Sequence, residues 1–276
     1  MVESGIVILT LEWENKMINN LKSILIVSSL FTGMALCSAS AIAKSEKDCR
    51  GLPDHAALQT ALDAAVAAET SGLDFDMWAT LVNRDGVVCA VAFSGGDRGA
   101  QWPGSRVISA QKANTANAFS LDGLALSTAN LFSAVQPGGS LFGLQASNPV
   151  DTRVAYKGPS KKYGTKSDPM VGKKIGGVNV FGGGLGLYDA NKIIGAVGVS
   201  GDTSCADHMI GWRTRANLSL DQLSGVGGVS GDATRPDNIV YDITANPDGG
   251  TGVSADGFGH PECLNTGDET ALPVVQ

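Results

Sequence analysis

The stretch that decides the fold is residues 177–220, which read GVNVFGGGLGLYDANKIIGAVGVSGDTSCADHMIGWRTRANLSL. It contains two apolar runs joined by a polar turn at 188–192, and the second run, 193–200, is apolar or small on both of its alternating faces. A strand of that kind is covered on both sides, so the pattern predicts a central strand with layers above and below it. Gly195 and Gly198 lack side chains, which indicates that a helix or a ligand comes close to the backbone there.

A helix is predicted directly after this strand. Ser204 is the expected N-cap, and Asp207 follows at the third position, an arrangement similar to a capping box that also suits the helix dipole. Cys205 and Trp212 fall on one face of the helix, and His208 lies at the border of that face.

The preceding part of the chain predicts further elements of the same domain. Residues 54–71 have apolar positions at helical spacing, and the apolar runs 76–83 and 87–93 are separated by Arg84-Asp85-Gly86, a strong hairpin signal. Residues 105–119 predict a second helix rich in small residues. Small residues allow helices to pack closely, or leave room for a flat ligand.

Two segments do not follow this pattern. Residues 148–174 form a basic, glycine- and proline-containing insertion, which is either a solvated excursion or a cationic lid for an anionic ligand. Residues 225–276 are poor in periodic pattern, and we expect an irregular C-terminal extension that wraps the domain. The predicted organisation is one domain over residues 44–224, followed by this extension.

The N-terminus has the pattern of a secretory signal peptide. After Met17, the basic residue Lys22 is followed by an apolar run at 24–36 and by Ala41-Ile42-Ala43. We therefore expect translation to start at Met17 and residues 1–43 to be cleaved off. The apolar run is interrupted and short for a bilayer, so a membrane anchor is the less favoured alternative. The predicted location is periplasmic or secreted.

Four cysteines remain after the predicted cleavage: Cys49, Cys89, Cys205 and Cys263. An even number in an oxidising compartment predicts two disulfides, and four cysteines allow three pairings. We favour Cys205–Cys263 together with Cys49–Cys89, because the first bond would tie the irregular extension to the start of the predicted helix.

The overall composition limits the kinds of partner. The chain has 276 residues, is 43% hydrophobic and carries a formal net charge of −7. An acidic protein has no electrostatic reason to bind nucleic acid or an anionic membrane, so we expect neither as a partner.

Standard catalytic signatures do not occur in the sequence. There is no Gly-x-Ser-x-Gly elbow, no phosphate-binding loop, and the glycine cluster 182–186 is not a dinucleotide fingerprint. Function must therefore be inferred mainly from resemblance and from the remaining motifs.

One pair of motifs could hold a metal: Cys205-x-x-His208 and His260-x-x-Cys263. Two thiolates and two imidazoles suit tetrahedral zinc. The alternative is a Cys205–Cys263 disulfide, which removes both thiolates and leaves His208 and His260 free as capping groups or as ligands to haem iron.

Residues 52–220 resemble the GlcG/HbpS family, which includes the PduO C-terminal domain. The resemblance rests on the first helix, the Asp85-Gly86 hairpin, the helix that carries Lys112 and, most specifically, the segment Gly195–Gly201. It implies a profilin-like α/β (α+β) fold, a three-layer sandwich with helices on both faces of a five-stranded antiparallel sheet. It also implies a homo-oligomer and, in the secreted HbpS branch, haem binding, with links to haem degradation and sensing.

The resemblance leads to an exported haem-binding protein as the first hypothesis. Haem is a flat apolar ring with two carboxylates, so it needs a slot, an axial donor and nearby cations. The expected site consists of His208 as the metal ligand, of Lys112, Arg98 and Arg106 as propionate partners, and of Met209 and Trp212 packed on the ring.

Two other functions stay open. One is a non-catalytic accessory subunit of a periplasmic oxidoreductase system that binds a small organic acid, and the other is a haem-degrading enzyme. The basic insertion and the cysteine-bearing extension depart from the family pattern, which leaves the ligand open. Since no side chain specifically indicates haem-degrading chemistry, we favour a binding protein over an enzyme.

Overall fold

The computed structural model describes residues 48–97 and 99–276. The predicted signal peptide, residues 1–43, lies outside the described residues, as does Arg98. In chain order, the helices are α1 His55–Ala67, α2 Ser105–Phe119, α3 Leu144–Ser147, α4 Thr152–Ala155 and α5 Ser204–Asn217. The strands are β1 Trp78–Asn83, β2 Val88–Phe93, β3 Gly184–Asp189, β4 Lys192–Ser200, β5 Ile243–Thr244 and β6 Val253–Ser254. Short 3₁₀ turns lie at Ala129–Leu131, Ser133–Val135, Ser160–Lys162 and Glu269–Ala271.

The central sheet has four antiparallel strands in the order β2-β1-β4-β3. The predicted central position of β4 is confirmed, because β4 pairs with β1 on one side and with β3 on the other. In the register of the sheet, Leu81 lies between Ala90 of β2 and Val197 of β4. A separate two-stranded sheet is formed by β5 and β6 within the C-terminal extension.

The sheet has four strands in the described part of the chain, where the resemblance implied five. At the free edge of β2, the Val88 N–H donates to the Lys173 carbonyl at 2.8 Å, and the Gly172 N–H donates to the Val88 carbonyl at 2.8 Å. This pairing ends at once because Gly172 and Gly176 have φ values of +77° and +63°, which turn the chain away from extended geometry. The edge is therefore covered without a fifth strand.

Two cores lie on opposite faces of the sheet, because successive strand residues point to opposite sides. Val82 and Ala196 pack on one face against Ala110 and Ala113 of α2. On the other face, strand residues that include Leu81 and Val197 pack with Leu58, Leu62 and Met209 of α1 and α5. The predicted layers above and below the central strand are thus confirmed as helices.

The close approach predicted at Gly198 is made by a helix and not by a ligand. A Cβ atom on Gly198 would overlap the Ser109 carbonyl oxygen and the Ala113 nitrogen, both in the backbone of α2. Because a rigid helix backbone cannot yield as a side chain can, glycine is required here for α2 to pack on β4.

We expect Gly198→Ala to lower the free energy of unfolding by about 1–3 kcal/mol, the usual cost of overpacking a core. Urea unfolding followed by circular dichroism measures this. The matched control is Gly123→Ala, because a Cβ there meets nothing within 4 Å. Equal stabilities of the two variants would contradict the packing of α2 on β4.

The N-cap of α5 is one residue earlier than predicted. Thr203, not Ser204, has the extended capping conformation, and its hydroxyl accepts a hydrogen bond from the Ala206 N–H at 3.3 Å. Asp207 does not support this cap. It is buried and accepts hydrogen bonds from the N–H groups of Gly201 and Asp202, both at 2.9 Å.

Both predicted disulfides are confirmed. Cys49 is bonded to Cys89 of β2, and Cys205 at the start of α5 is bonded to Cys263 of the C-terminal extension. Each bond closes a long loop, 40 and 58 residues in sequence separation. For loops of this length the stabilisation is on the order of 4 kcal/mol per bond. The two disulfides favour a location outside the cytoplasm.

The C-terminal extension contacts α5 along its length. The Trp212 indole N–H donates to the Pro273 carbonyl at 2.9 Å, and Arg215 forms a fully buried ion pair with Asp237 at 2.6 Å. The Gln276 N–H donates to the Asp221 carbonyl at 2.9 Å. From residue 48 onward, leaving out Arg98, no helix has the length and apolar character needed to cross a membrane.

Candidate functional site

A cavity of about 600 Å³ lies where β1 begins and β2 ends, beside the N-terminus of α2. Its floor is aromatic. The rings of Trp78 and Phe93, the terminal residues of the paired strands, are stacked with centroids 4.3 Å apart and planes at 17°. The stack follows from the sheet register, which places Trp78 directly opposite Phe93.

The basic insertion forms the opposite wall of the cavity, through Tyr156, Ser160, Lys161, Tyr163, Gly164 and Thr165. Gly164 presses on the aromatic floor, because a Cβ there would lie 2.8 Å from Cβ of Phe93 and 2.9 Å from the indole of Trp78. Its φ of +73° also favours glycine. The His55 side chain hydrogen-bonds the Gly164 carbonyl at 2.9 Å and so fixes this part of the insertion to α1.

A buried ion pair anchors the insertion to α2. Arg106 donates from Nε to Asp168 Oδ2 at 2.8 Å, and a second, shorter hydrogen bond joins its Nη2 to Asp168 Oδ1. A third hydrogen bond runs from Nη1 to the Ala155 carbonyl at 2.7 Å, and the guanidinium lies 3.7 Å from the ring centroid of Tyr163. Arg106 therefore lines the cavity, but its charge is already neutralised within the protein.

The rim of the cavity carries the groups that a ligand could reach. Tyr156 is 59% exposed, and its hydroxyl makes no hydrogen bond within the described part of the chain. Lys161 is an exposed cation on the same side, and Asp97 is an exposed anion on the other. A cavity with an aromatic lining and a cation at its mouth suits an apolar molecule that bears acidic groups at one edge.

Of the residues predicted from sequence, Arg106 is placed at this cavity and Lys112 is not. The Lys112 ammonium is buried and pairs with Asp207 Oδ2 at 2.6 Å, and it also donates to the Val199 carbonyl at 3.1 Å. Burial lowers the pKa of Lys112, while the nearby Asp207 carboxylate acts in the opposite direction. The same burial raises the pKa of Asp207 to about 6. Arg98 lies outside the described residues.

His208, Met209 and Trp212 are buried on the other side of the sheet, between α5 and the C-terminal extension. His208 Nε2 accepts a hydrogen bond from the Ile239 N–H at 3.2 Å, and Nδ1 has no partner among the described residues. Burial, followed by the charge of Arg215, lowers the pKa of His208 to about 3. The three residues do not line the cavity, and their role in binding stays a prediction.

The second predicted cluster is partly assembled. Cys205, His260 and Cys263 bring one sulfur, one ring nitrogen and one sulfur within 4.8 Å of one another, and His208 is not part of this group. Since the two sulfurs are joined in a disulfide, the disulfide alternative is the one that the structure contains.

The residues that form the cavity floor were not predicted from sequence. Aromatic residues make up only 6% of the chain. The presence of Trp78 at the start of one hairpin strand and Phe93 at the end of the other could therefore have indicated a site there. The insertion was predicted from its lysines as either a solvated excursion or a cationic lid, and its aromatic residues Tyr156 and Tyr163 were not singled out.

Comparison with known proteins gives a family. The family model described as haem degrading protein HbpS-like matches residues 54–213. The crystal structure of Klebsiella pneumoniae protein ORFY, of family model DUF336, is 24% identical, with 60% of this chain and 90% of that chain covered and a TM-score of 0.41. The crystal structure of a PduOC–haem complex is 21% identical, with 58% and 88% covered and a TM-score of 0.40. No curated protein is significantly similar to the chain. Because the family model matches more than half of its residues, the chain belongs to the HbpS-like family.

Proposed function

We propose that this protein is an exported haem-binding protein and that haem lies in the cavity between the sheet and the insertion. The observation that carries the proposal is the aromatic slot made by Trp78 and Phe93 opposite the insertion. The description of the family as haem-degrading supports haem as the ligand.

The cavity residues fit the size and polarity of haem. A volume of about 600 Å³ lies within the range of small-molecule sites, and the lining includes the half-buried ring of Phe93. Lys161 at the mouth would pair with a propionate, and the open end of the slot would leave the acidic edge of the ring in water.

The donor set of the cavity differs from the one predicted. The described lining residues include no histidine, cysteine or methionine, whereas Tyr156 and Tyr163 offer phenolic oxygens. Tyrosine is an axial ligand of haem iron in some proteins. The Tyr163 hydroxyl lies 3.2 Å from the Tyr156 carbonyl oxygen, so Tyr156, whose hydroxyl makes no hydrogen bond within the described residues, is the residue we assign to the iron.

The export part of the proposal rests on the cysteines and the N-terminal sequence. Two disulfides are expected only where thiols are oxidised, and residues 1–43 have the pattern of a cleaved signal peptide. N-terminal sequencing of the protein isolated from the periplasm or medium should therefore begin at Lys44.

Haemin titration of the purified protein tests the site. We expect a Soret shift in the wild type and at least about tenfold weaker binding in Gly96→Phe, a loss of about 1.4 kcal/mol or more. Gly96 lines the cavity and a Cβ there meets nothing within 4 Å, so the new ring enters open space without disturbing the fold. Gly123→Phe is the matched control, because that glycine is equally open but does not line the cavity.

Three further variants separate the cavity from the predicted His208 site. Lys161→Glu should weaken haemin binding, whereas Lys166→Glu, on the same insertion but not at the cavity, should not. Tyr156→Phe should change the visible spectrum of the complex. If His208→Gln changes the spectrum and Gly96→Phe binds normally, haem lies beside α5 and the cavity proposal is wrong.

Haem degradation is a second candidate, favoured by the description of the family. The same preparation answers this question, since loss of the Soret band on adding a reductant in air, with formation of an open-chain product, would show an enzyme. Retention of the band would favour storage, sensing or transport. If the protein is instead an accessory subunit that binds a small organic acid or a partner protein, haemin should not bind.

The predicted homo-oligomer is tested by light scattering.

A further inference from the structure

The sulfur and imidazole cluster at the start of α5 is not used by the haem proposal. It lies on the other side of the sheet from the cavity and joins α5 to the C-terminal extension through the Cys205–Cys263 disulfide. We propose that reduction of this disulfide converts the cluster of Cys205, His260 and Cys263 into a binding site for Zn²⁺, independent of haem.

The three donors are already close together. One atom from each residue lies within 4.8 Å of the others, and the Cα atoms of the two cysteines are 6.0 Å apart. Zn–S bonds of about 2.3 Å in tetrahedral geometry place two sulfurs about 3.8 Å apart. Rotation of the two side chains supplies that separation, so the backbone can stay in place.

The imidazole of His260 is prepared as a neutral ligand. It is 1% exposed, and its Nδ1 lies 2.7 Å from the Pro261 carbonyl oxygen, to which it donates its proton. Nε2 therefore carries the lone pair, and it has no hydrogen-bond partner among the described residues. A carbonyl that fixes the tautomer of a ligand histidine is typical of metal sites.

The first turn of α5 is placed to stabilise a thiolate on Cys263. The Cys205 N–H donates to Cys263 Sγ at 3.2 Å, and the Ser204 hydroxyl lies 3.5 Å from the same sulfur. Unpaired N–H groups at a helix N-terminus, together with the helix dipole, favour negative charge on an atom placed there.

The chemistry balances with a dithiol as the reductant. The reductant delivers two electrons and two protons, the bond between the two sulfurs breaks, and the reductant leaves as its own disulfide. Zn²⁺ then displaces one proton from each cysteine thiol and forms two Zn–S bonds, while the neutral imidazole adds a nitrogen without losing its proton. Two thiolates and one divalent ion leave no net charge in the buried cluster, which limits the cost of burial.

The test titrates Co²⁺, a coloured substitute for Zn²⁺, into the processed protein that begins at Lys44, which lacks Cys37, after reduction under nitrogen. We expect one equivalent to bind with a near-ultraviolet thiolate-to-cobalt band, and Zn²⁺ to displace it. The oxidised protein should show no such band. In His260→Ala, affinity should fall by at least roughly 10–100-fold, the range seen even when groups behind a ligand are removed.

The second disulfide provides the matched control. The double variant Cys49→Ser/Cys89→Ser should bind Co²⁺ as the wild type does, and Cys205→Ser/Cys263→Ser should not. If reduction unfolds the chain, Zn²⁺ should restore the circular dichroism spectrum of the wild type but not that of Cys205→Ser/Cys263→Ser. The absence of a thiolate band in the folded reduced protein, an unchanged affinity in His260→Ala, or a chain that stays unfolded with Zn²⁺ would overturn the proposal.

Discussion

Lowering the pH from 7 to 5 is expected to reduce the free energy of unfolding by about 3 kcal/mol. Burial lowers the pKa of His208 to about 3 and that of His260 to about 4, whereas an unfolded histidine titrates near 6.5. Below pH 6.5 the unfolded chain therefore binds two protons that the folded chain does not, and each contributes about 1.4 kcal/mol per pH unit against folding. Stability is fully present above pH 6.5 and is lost as the pH falls.

Asp207 opposes part of this loss. Burial raises its pKa to about 6, so between pH 6 and 4 the folded chain binds a proton that the unfolded chain does not. Below pH 6, the proton that folded Asp207 binds offsets one of the two histidine protons. The two histidines alone would cost about 4 kcal/mol, and the offset reduces the expected net loss to about 3 kcal/mol. The charged groups that act on His208 are Arg215, His260 and Lys112, all cations or a potential cation.

Chemical unfolding at pH 7, 6 and 5 measures this dependence. His208→Gln should reduce the loss by about two-thirds, from about 3 to about 1 kcal/mol, because the Asp207 offset stays in place. Glutamine can still accept the Ile239 hydrogen bond but does not titrate. Gly123→Ala, which changes no titratable group, should keep the wild-type dependence. A free energy of unfolding that is constant from pH 7 to 5 would show that the two imidazoles are not buried as described.

The variant Asp168→Asn is expected to lose about 3–5 kcal/mol of stability, because it leaves the buried Arg106 guanidinium without its counter-charge. Asp168 also accepts hydrogen bonds from the Gly164 N–H at 2.8 Å and the Met170 N–H at 2.9 Å, so the same carboxylate shapes the insertion and joins it to Arg106 of α2. We therefore expect haemin binding to fall together with stability.

Urea unfolding gives the stability, and limited proteolysis shows whether the insertion has been released. The control is Asp151→Asn in the same insertion, where the ion pair with Arg153 is on the surface and no measurable change is expected. If Asp168→Asn keeps wild-type stability and resists protease, the buried pair is not what holds the insertion over the cavity.

Elements with a strong local pattern were predicted well from the sequence. The helix at 105–119 has the predicted bounds, and the hairpin strands begin and end within two residues of their predicted positions. Both disulfides are paired as favoured, because compartment and position left few reasonable choices. The N-cap of α5 was misplaced by one residue, since Thr203 and Ser204 have equivalent hydroxyl groups and only the backbone angles distinguish them.

The cavity could not be predicted, because it depends on contacts between distant segments. Arg106 and Asp168 are 62 residues apart, and the local sequence around each gives no indication that the two side chains pair. From sequence, the insertion was compatible both with a solvated loop and with a lid. Only the structure shows that its valine and methionine side chains pack on the face of the sheet beside α2.

Residue order alone was sufficient for the layered fold, because a strand that is apolar on both faces must be covered on both. It was also sufficient for the pairing of the four described cysteines. The tertiary structure alone decided which surfaces are open. It buried His208 beneath the C-terminal extension and opened a slot at Trp78 and Phe93. The physical reason is that periodicity records which face of an element is apolar, whereas a cavity exists only where two packed elements fail to meet.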